Sequence, residues 1–177
     1  GATRQESVLK SGENFSVIKL EEERQRLSTL FRNHGYYYYR PEFTTYRADT
    51  LQKSGYVSLQ VVLRAGIPSE AKKQYYIGNT SVYLTGYNDE PPTDTLKLRT
   101  MTLYYSGKKP GIRPSALMRN FFFRKGELFS QDRQTFTQEA IARMGIFRYS
   151  EFRYALQDTT AACDTLKVNM YATFDKP

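Results

Sequence analysis

One histidine, His34, and one cysteine, Cys163, stand in a chain of 177 residues. A Cys/His zinc module needs four ligands and a disulfide needs two thiols, so both are excluded. Nucleophilic catalysis by a Ser–His–Asp or Cys–His set would rest wholly on His34. That residue follows a predicted helix, where an imidazole acts as a C-terminal cap. Asp158, Asp164 and Asp175 lack the spacing of a calcium loop. Glu21, Glu22 and Glu23 read as the solvated start of a helix, and no glycine-rich phosphate loop is present. Cys163 falls in a loop and reads as an incidental thiol. The residue types imply no enzyme, no cofactor and no metal site.

Two other groups carry recognition chemistry. Tyr36, Tyr37, Tyr38 and Tyr39 form an aromatic run in a chain with 15 Tyr, 11 Phe and no Trp. Such a run could stack nucleic-acid bases from a sheet, but no stretch has the aromatic RNA-recognition signature. The plainer reading is a strand whose tyrosines alternately cover a helix layer and face water. A third is an edge strand from Tyr36 to Tyr46 that receives an extended polypeptide, with Phe43 beside it. Pro41 fits an edge, because proline cannot donate to a ladder. The second group is basic. Lys97, Arg99, Lys108, Lys109, Arg113, Arg119, Arg124 and Lys125 fall between Thr95 and Gly126 with no acid among them. The net charge is +8, of which +6 falls after residue 71. A solvated face, an acidic partner and anionic lipid headgroups all fit this patch. Lys108, Lys109, Arg113 and Arg119 are expected to cluster on the side nearer the C-terminus. A basic nucleic-acid-binding α+β protein is the rival class, though no nucleic acid is expected as partner.

An internal repeat supplies the elements. Gly12-Glu13-Asn14-Phe15-Ser16 recurs 114 positions later as Gly126-Glu127-Leu128-Phe129-Ser130. Each copy leads into a helical pattern, with Ser16 and Ser130 as N-caps. Phe15 and Leu20 fit a staple around the first cap. The helical stripes are Val17, Leu20, Leu27, Leu30 and Phe31 in one copy and Phe136, Ala140, Ile141 and Met144 in the other. Gly35 and Gly145 sit where a left-handed C-cap is expected. Each glycine opens an aromatic strand, Tyr36 onward or Ile146 onward. A turn containing Asp-Thr-Leu follows (Asp49 to Leu51, Asp164 to Leu166). Each copy closes on a strand of period two, and Val57, Leu59, Val61, Leu63 and Leu166, Val168, Met170 should point inward. The strand from Phe147 to Tyr154 should be an edge with a bulge near Ser150. Ahead of the second copy come a strand from Tyr75 to Gly86, an exposed loop to Thr95, a strand from Leu96 to Tyr105 and a helix from Pro114 to about Phe123. At about 100° per residue, Phe121, Phe122 and Phe123 cannot share one helix face. The first copy offers only a helix remnant from Arg4 to Lys10 and lacks an opening strand, so the chain reads as a piece of a larger protein. The expected organisation is a domain at 1–66, a linker at 67–74 and a complete domain at 75–177.

A β-α-α-β-β unit with Gly-x-x-Phe-Ser before its second helix, Met144-Gly145-Ile146-Phe147 after it and a last strand with Leu166-Lys167-Val168 resembles a POTRA (polypeptide-transport-associated) domain. The resemblance covers nearly the whole chain, and it looks like the periplasmic part of a BamA/TamA-family outer-membrane protein. The aromatic segment from Asn33 to Phe43 is similar to the TamA-like lipoprotein branch. The resemblance implies an α+β fold of tandem units, each a small mixed sheet with two helices on one face. It implies a module at the periplasmic face of the outer membrane that acts by β-augmentation on substrate polypeptides or accessory periplasmic proteins. It also implies a β-barrel in the same parent chain after Pro177. Tyr36 to Tyr39, Phe43, Phe147 and Tyr149 are the edge-strand residues it would use. The 86–95 loop is an insertion relative to a minimal unit.

Overall fold

A computed structural model describes residues 7–14, 16–50 and 55–177. The chain divides into two compact units, Gly1–Lys73 and Gln74–Pro177. Helices with a mixed and an antiparallel sheet make the fold α+β.

In the first unit, helix α1 spans Val17–Asn33. The Ser16 hydroxyl accepts from the Lys19 amide at 3.3 Å and satisfies one orphan donor. Gly35, at φ 93°, takes the left-handed conformation that ends the helix. Leu27 is buried as expected, whereas Val17 is exposed. Glu23 is buried too, which corrects its reading as a solvated residue. The Ser7 hydroxyl (2.9 Å), the Val8 amide (2.9 Å) and the Arg26 guanidinium (2.7 Å) all donate to its carboxylate. The carboxylate thereby fastens residues 7 and 8 to α1. Residues 7–10 are not helical, and Arg4 to Glu6, Phe15 and Leu51 lie outside the described residues.

The tyrosine run is not a strand. After Gly35 the chain folds back on α1, with the Tyr36 amide donating to the Phe31 carbonyl at 3.1 Å. A 3-10 turn at Pro41–Phe43 follows, and strand β1 begins only at Thr44, running Thr44–Thr50. Strand β2, Val57–Leu63, pairs antiparallel with β1, placing Tyr46 opposite Val61 and Thr44 opposite Leu63. Paired residues share a face. The Tyr46 hydroxyl donates to the Leu20 carbonyl of α1 at 2.8 Å, so this is the helix side. Yet Val57, Leu59, Val61 and Leu63 are 47, 36, 47 and 54 % exposed. The expected orientation of this row, inward, therefore fails on burial. α1 packs on β1, and six of the seven β2 residues are exposed. Among the described residues the unit shows one α-helix and two antiparallel strands rather than a mixed sheet with two helices, since no described segment joins it as a parallel strand.

The second unit is fuller. Strands β3 (Tyr76–Thr85), β4 (Asp94–Lys97), β5 (Met101–Tyr105), β6 (Phe147–Leu156) and β7 (Thr165–Phe174) form one sheet in the order β4-β5-β3-β7-β6. β3 runs parallel to both β5 and β7, and β4 and β6 are antiparallel edges. The segment expected as one strand from Leu96 to Tyr105 is a hairpin broken at residues 98–100. Helices α2 (Pro114–Arg119) and α3 (Gln131–Arg143) lie on one face. Their Leu117 and Ile141 join Val82, Leu84, Met101, Leu103, Met170 and Ala172 in the core. Ser130 caps α3 as Ser16 caps α1, accepting from the Arg133 amide at 3.4 Å. Phe136 is exposed, and Thr137 takes its place on the buried face. The Thr137 hydroxyl accepts from the Phe122 amide (3.0 Å) and donates to the Arg133 carbonyl (2.8 Å), so its burial leaves no polar group unmatched. α2 ends at Arg119, short of the expected Phe123. Beyond the helix the three phenylalanines alternate: Phe121 and Phe123 pack on Phe152, while Phe122 is exposed. The Asp-Thr-Leu runs are not equivalent, since Asp49 and Thr50 end β1 whereas Thr165 begins β7.

Candidate functional site

β6 is the longest free edge in the second unit. This ten-residue strand pairs with β7 on one side only. A strand so placed offers a row of unpaired N–H and C=O groups to an extended chain. The register shift lies between Phe147 and Tyr149, earlier than expected from the apolar phase. Phe147 turns inward onto Phe174, with ring centres 5.0 Å apart. Tyr149 is 51 % exposed, and its hydroxyl is pushed above its ordinary value by a hydrogen bond to the Glu151 carboxylate. Glu151 also pairs with Arg153 at 2.7 Å, and that guanidinium lies 5.3 Å from the Tyr171 ring centre. On the inner side the Tyr154 hydroxyl donates to Gln134 of α3 at 2.8 Å. At the start of the strand, Arg148 donates to the Tyr87 carbonyl at 2.8 Å and pairs with Asp89. Those bonds fix the 86–93 loop across the end of β7.

The remaining predicted residues separate into three groups. Tyr36, Tyr37, Tyr38 and Tyr39 precede β1 and form an aromatic knot on the end of α1. Tyr39 is buried between Phe31 (4.7 Å) and Phe43 (5.8 Å), and its hydroxyl meets that of Thr44 at 2.5 Å. Arg32 lies over the Tyr37 ring and donates to the Tyr37 carbonyl. These tyrosines lie on no strand and offer no edge, which corrects their assignment to one. Their run of four concealed this, since tyrosine favours strands while Gly35 and Pro41 bracket a tight turn. Lys108 and Lys109 lie in the β5–α2 loop, where Lys109, with Gly111, Phe174 and Asp175, lines an open cleft of about 550 Å³. Arg113 is the N-cap residue of α2 and Arg119 ends the helix. Met118, next to Arg119, has its sulfur 3.4 Å from the Thr100 hydroxyl, at the start of β5. α2 thus carries Arg119 to the end of the sheet away from the C-terminus, and the four cations do not form one cluster.

Sequence reading missed the outer face of the second sheet. Tyr104, Tyr83 and Tyr171 stand side by side on β5, β3 and β7, stacked at 4.7 and 4.8 Å. Burial pushes the Tyr83 hydroxyl upward, and its two tyrosine neighbours add to the effect. The signal was present: each tyrosine alternates with buried residues, Val82 and Leu84, Leu103, or Met170 and Ala172. What the sequence does not show is the parallel register that aligns the three rings.

Among the described residues no group of His, Cys, Asp and Glu is placed to hold a metal ion, and no helix is long and apolar enough to cross a membrane. No family model matches the chain, and no curated protein matches it in sequence. Solved structures do. The chain is similar to BamA from Haemophilus ducreyi lacking POTRA domains 1–3, with a TM-score of 0.62 and 13 % identity over 96 % of this chain and 26 % of that one. The POTRA1–3 part of the periplasmic domain of Omp85 from Anabaena aligns over 99 % of this chain and 58 % of its own, at 15 % identity and a TM-score of 0.42. The N-terminal domain of Omp85 from Thermosynechococcus elongatus gives 94 % and 56 %, 14 % identity and 0.41. At these identities the likeness is one of fold. The chain has the POTRA fold, and it spans about a quarter of the BamA chain it resembles.

Proposed function

We propose that this chain is a periplasmic docking module of an outer-membrane protein assembly or translocation factor, which receives extended polypeptide by strand addition along β6. The observation that carries this reading is the ten-residue β6 edge, unpaired on its outer side and carrying exposed Tyr149. Main-chain hydrogen bonds supply affinity in such a mode, and side chains at alternate positions supply loose selectivity. Substrate polypeptides or accessory periplasmic proteins are the partners, and a β-barrel of the same parent chain is the neighbour. Titration of the labelled chain with an unfolded outer-membrane-protein peptide tests this. Amides of residues 147–156 should shift and gain protection from exchange. If those amides stay unchanged while the peptide binds elsewhere, the reading fails.

Anionic lipid headgroups are the second partner class, and one observation favours them. Lys109 lies with Phe174, Asp175 and Pro177 at the end of the sheet where the described chain finishes. Lys108, Lys109 and Arg113 are the cations for that contact, and Arg119 is not. Flotation with anionic and neutral vesicles separates them. Binding to anionic vesicles alone, lost in K108E/K109E/R113E and kept in R119E, supports the reading; equal binding to both vesicle types overturns it.

A further inference from the structure

The two walls of the cleft over Phe174 differ in what their backbone does. One wall is the 86–93 loop, which satisfies its own amides. Gly86 donates to the Glu90 carbonyl (2.9 Å), Asp89 to the Gly86 carbonyl (2.9 Å) and Asn88 to the Glu90 carboxylate (3.0 Å). The other wall is the 106–113 loop between β5 and α2, which contains bends and no hydrogen-bonded turn. Among the described residues no acceptor meets the amides of Lys108, Lys109 and Gly111. No carboxylate among the described residues pairs with Lys108, Lys109 or Arg113. One short loop thus offers three cations and three backbone donors, and Lys109 and Gly111 line the cleft. Gly107 and Gly111 have φ of 85° and 79°. Turns with left-handed residues are the setting in which successive N–H groups form anion-binding concavities. A Cβ at Gly111 would stand 3.1 Å from the Phe174 ring, so the loop backbone lies directly against that ring. The glycine spacing matches no nucleotide-binding motif, which is why sequence reading passes over this loop.

We infer that the 106–113 loop binds a phosphate ester. The oxyanion takes the Lys109 ammonium and the free amides, Lys108 and Arg113 add charge, and the organic part of the ester lies on Phe174 and Pro110. A phosphate group brings several acceptor oxygens and more than one negative charge to one point, which matches several donors and cations on one loop. Glu90 and Asp175 also line the cleft. Each accepts a backbone amide, from Asn88 at 3.0 Å and Lys176 at 2.8 Å, and their charges confine the oxyanion to the Lys109 wall. A lipid headgroup and a soluble ester both carry this chemistry. The inference deepens the headgroup reading by adding backbone donors to its cations, and it rests on that reading only where the source is a lipid.

Glycerol 3-phosphate is the first probe, titrated into the isotope-labelled 177-residue chain at an ionic strength held constant with chloride. Amides of Lys108, Lys109 and Gly111 are expected to move along saturable curves, while that of Arg119 stays fixed. Lys109→Gln, at an exposed position, should weaken binding about tenfold or more, because a charge-assisted hydrogen bond is lost. Lys109→Arg should restore most of it, and Arg119→Gln should leave it unchanged. Drifts no larger than chloride alone produces, or binding unaltered in Lys109→Gln, would overturn the inference. Flotation then separates the sources, with vesicles charged by phosphatidic acid set against vesicles given equal charge by oleate. Saturable glycerol 3-phosphate binding with preference for phosphatidic acid supports the loop site and makes a lipid its source. Saturable binding with no flotation on either vesicle supports the loop site with a soluble ester and removes the headgroup reading. Equal flotation on both vesicles without glycerol 3-phosphate binding overturns the loop site and leaves the headgroup reading to charge alone.

Discussion

β7 and β2 have the same period-two pattern and different surroundings. Val168 and Met170 are wholly buried, while Val61 and Leu59 stand in water. Burying a Val, Leu or Met side chain contributes roughly 1.5–3 kcal/mol, so the row that anchors the second unit contributes little to the first. The difference lies in neighbours. β7 has strands on both sides and two helices over one face, whereas among the described residues β2 pairs with β1 alone. Alternation records which face of a strand is meant for burial. Whether that face is buried depends on elements remote in sequence. The first unit is held instead by polar and aromatic contacts around α1: the Glu23 carboxylate with its three donors, and the packing of Tyr39 between Phe31 and Phe43.

The sharpest way to break this comparison is to remove the same kind of side chain from both strands. Met170→Ala should cost the second unit about 2–5 kcal/mol through lost transfer energy and a cavity. Val61→Ala should change the first unit by no more than about 0.5 kcal/mol, as at an ordinary surface position. Urea denaturation followed by resonances assigned to each unit reads both. A Val61→Ala loss as large as that of Met170→Ala would mean that β2 is covered.

The next largest effect belongs to Glu23. Burial raises its carboxyl, but the hydrogen bonds from Arg26, Val8 and Ser7 outweigh that, so its pKa lies below the ordinary 4.5. A depressed folded value stabilises the folded state above about pH 4.5 and ceases to do so as pH falls through that lower value. Glu23→Gln should cost the first unit about 2–3 kcal/mol near neutrality, since the lost bonds are charge-assisted. It should also flatten the first unit's acid limb while leaving the second unit's unchanged. Exchange of the Val8 amide followed down an acid titration gives a direct check, with its protection expected to be lost only below pH 4.5, together with protonation of Glu23.

A smaller effect is expected at the tyrosine ladder, which the first unit lacks. Tyr83→Val removes two stacked pairs and should cost the second unit about 1–2 kcal/mol. Because the Tyr83 hydroxyl is raised above its ordinary 10.0, its share of stability is present below pH 10 and is lost as pH rises through the folded value. Tyr83→Phe should keep the stacking and lessen the alkaline loss. An alkaline limb identical in Tyr83→Phe and the parent chain would remove the ladder as its source.

Much of the architecture was legible because it rests on local signals. Ser16, Ser130, Gly35 and Gly145 marked both long helices, and the alternation at Leu166 to Met170 marked a buried strand. The α+β class followed from those elements in order. Three things were not legible. The four tyrosines have strand propensity, but Gly35 turns the chain back and their rings pack on a helix end, a tertiary preference that overrides propensity. Glu23 reads as one of three adjacent acids, and only the return of residues 7 and 8 to α1 buries it. The basic stretch from Lys97 to Lys125 is continuous in sequence, yet α2 reverses direction and sends Arg119 away from Lys108 and Lys109. The β6 edge was legible too: the phase slip marked the strand from Phe147 to Tyr154 as an edge, and the sheet order places it there.

The smallest effect tests the place where the two units are alike. Ser16 and Ser130 both have extended backbone, at φ −144° and −141°, and each hydroxyl accepts from the amide three residues on, at 3.3 and 3.4 Å. An N-cap hydroxyl satisfies one of the four N–H groups that a helix start leaves without a partner, and replacing it with alanine costs typically about 1 kcal/mol. The local geometry is the same in both units, so Ser16→Ala and Ser130→Ala should cost about the same. Glycine at either position should cost only a few tenths, because it relieves the backbone and admits water to the free amides. The comparison has force because the surroundings differ so much: α3 lies over a closed core and α1 over an open ribbon. Equal losses, read by amide exchange in each helix, would show that the cap acts locally and that the units diverge only in what covers their last strands. A Ser16→Ala loss several times that of Ser130→Ala would instead show that α1 depends on its cap because β2 gives it no support.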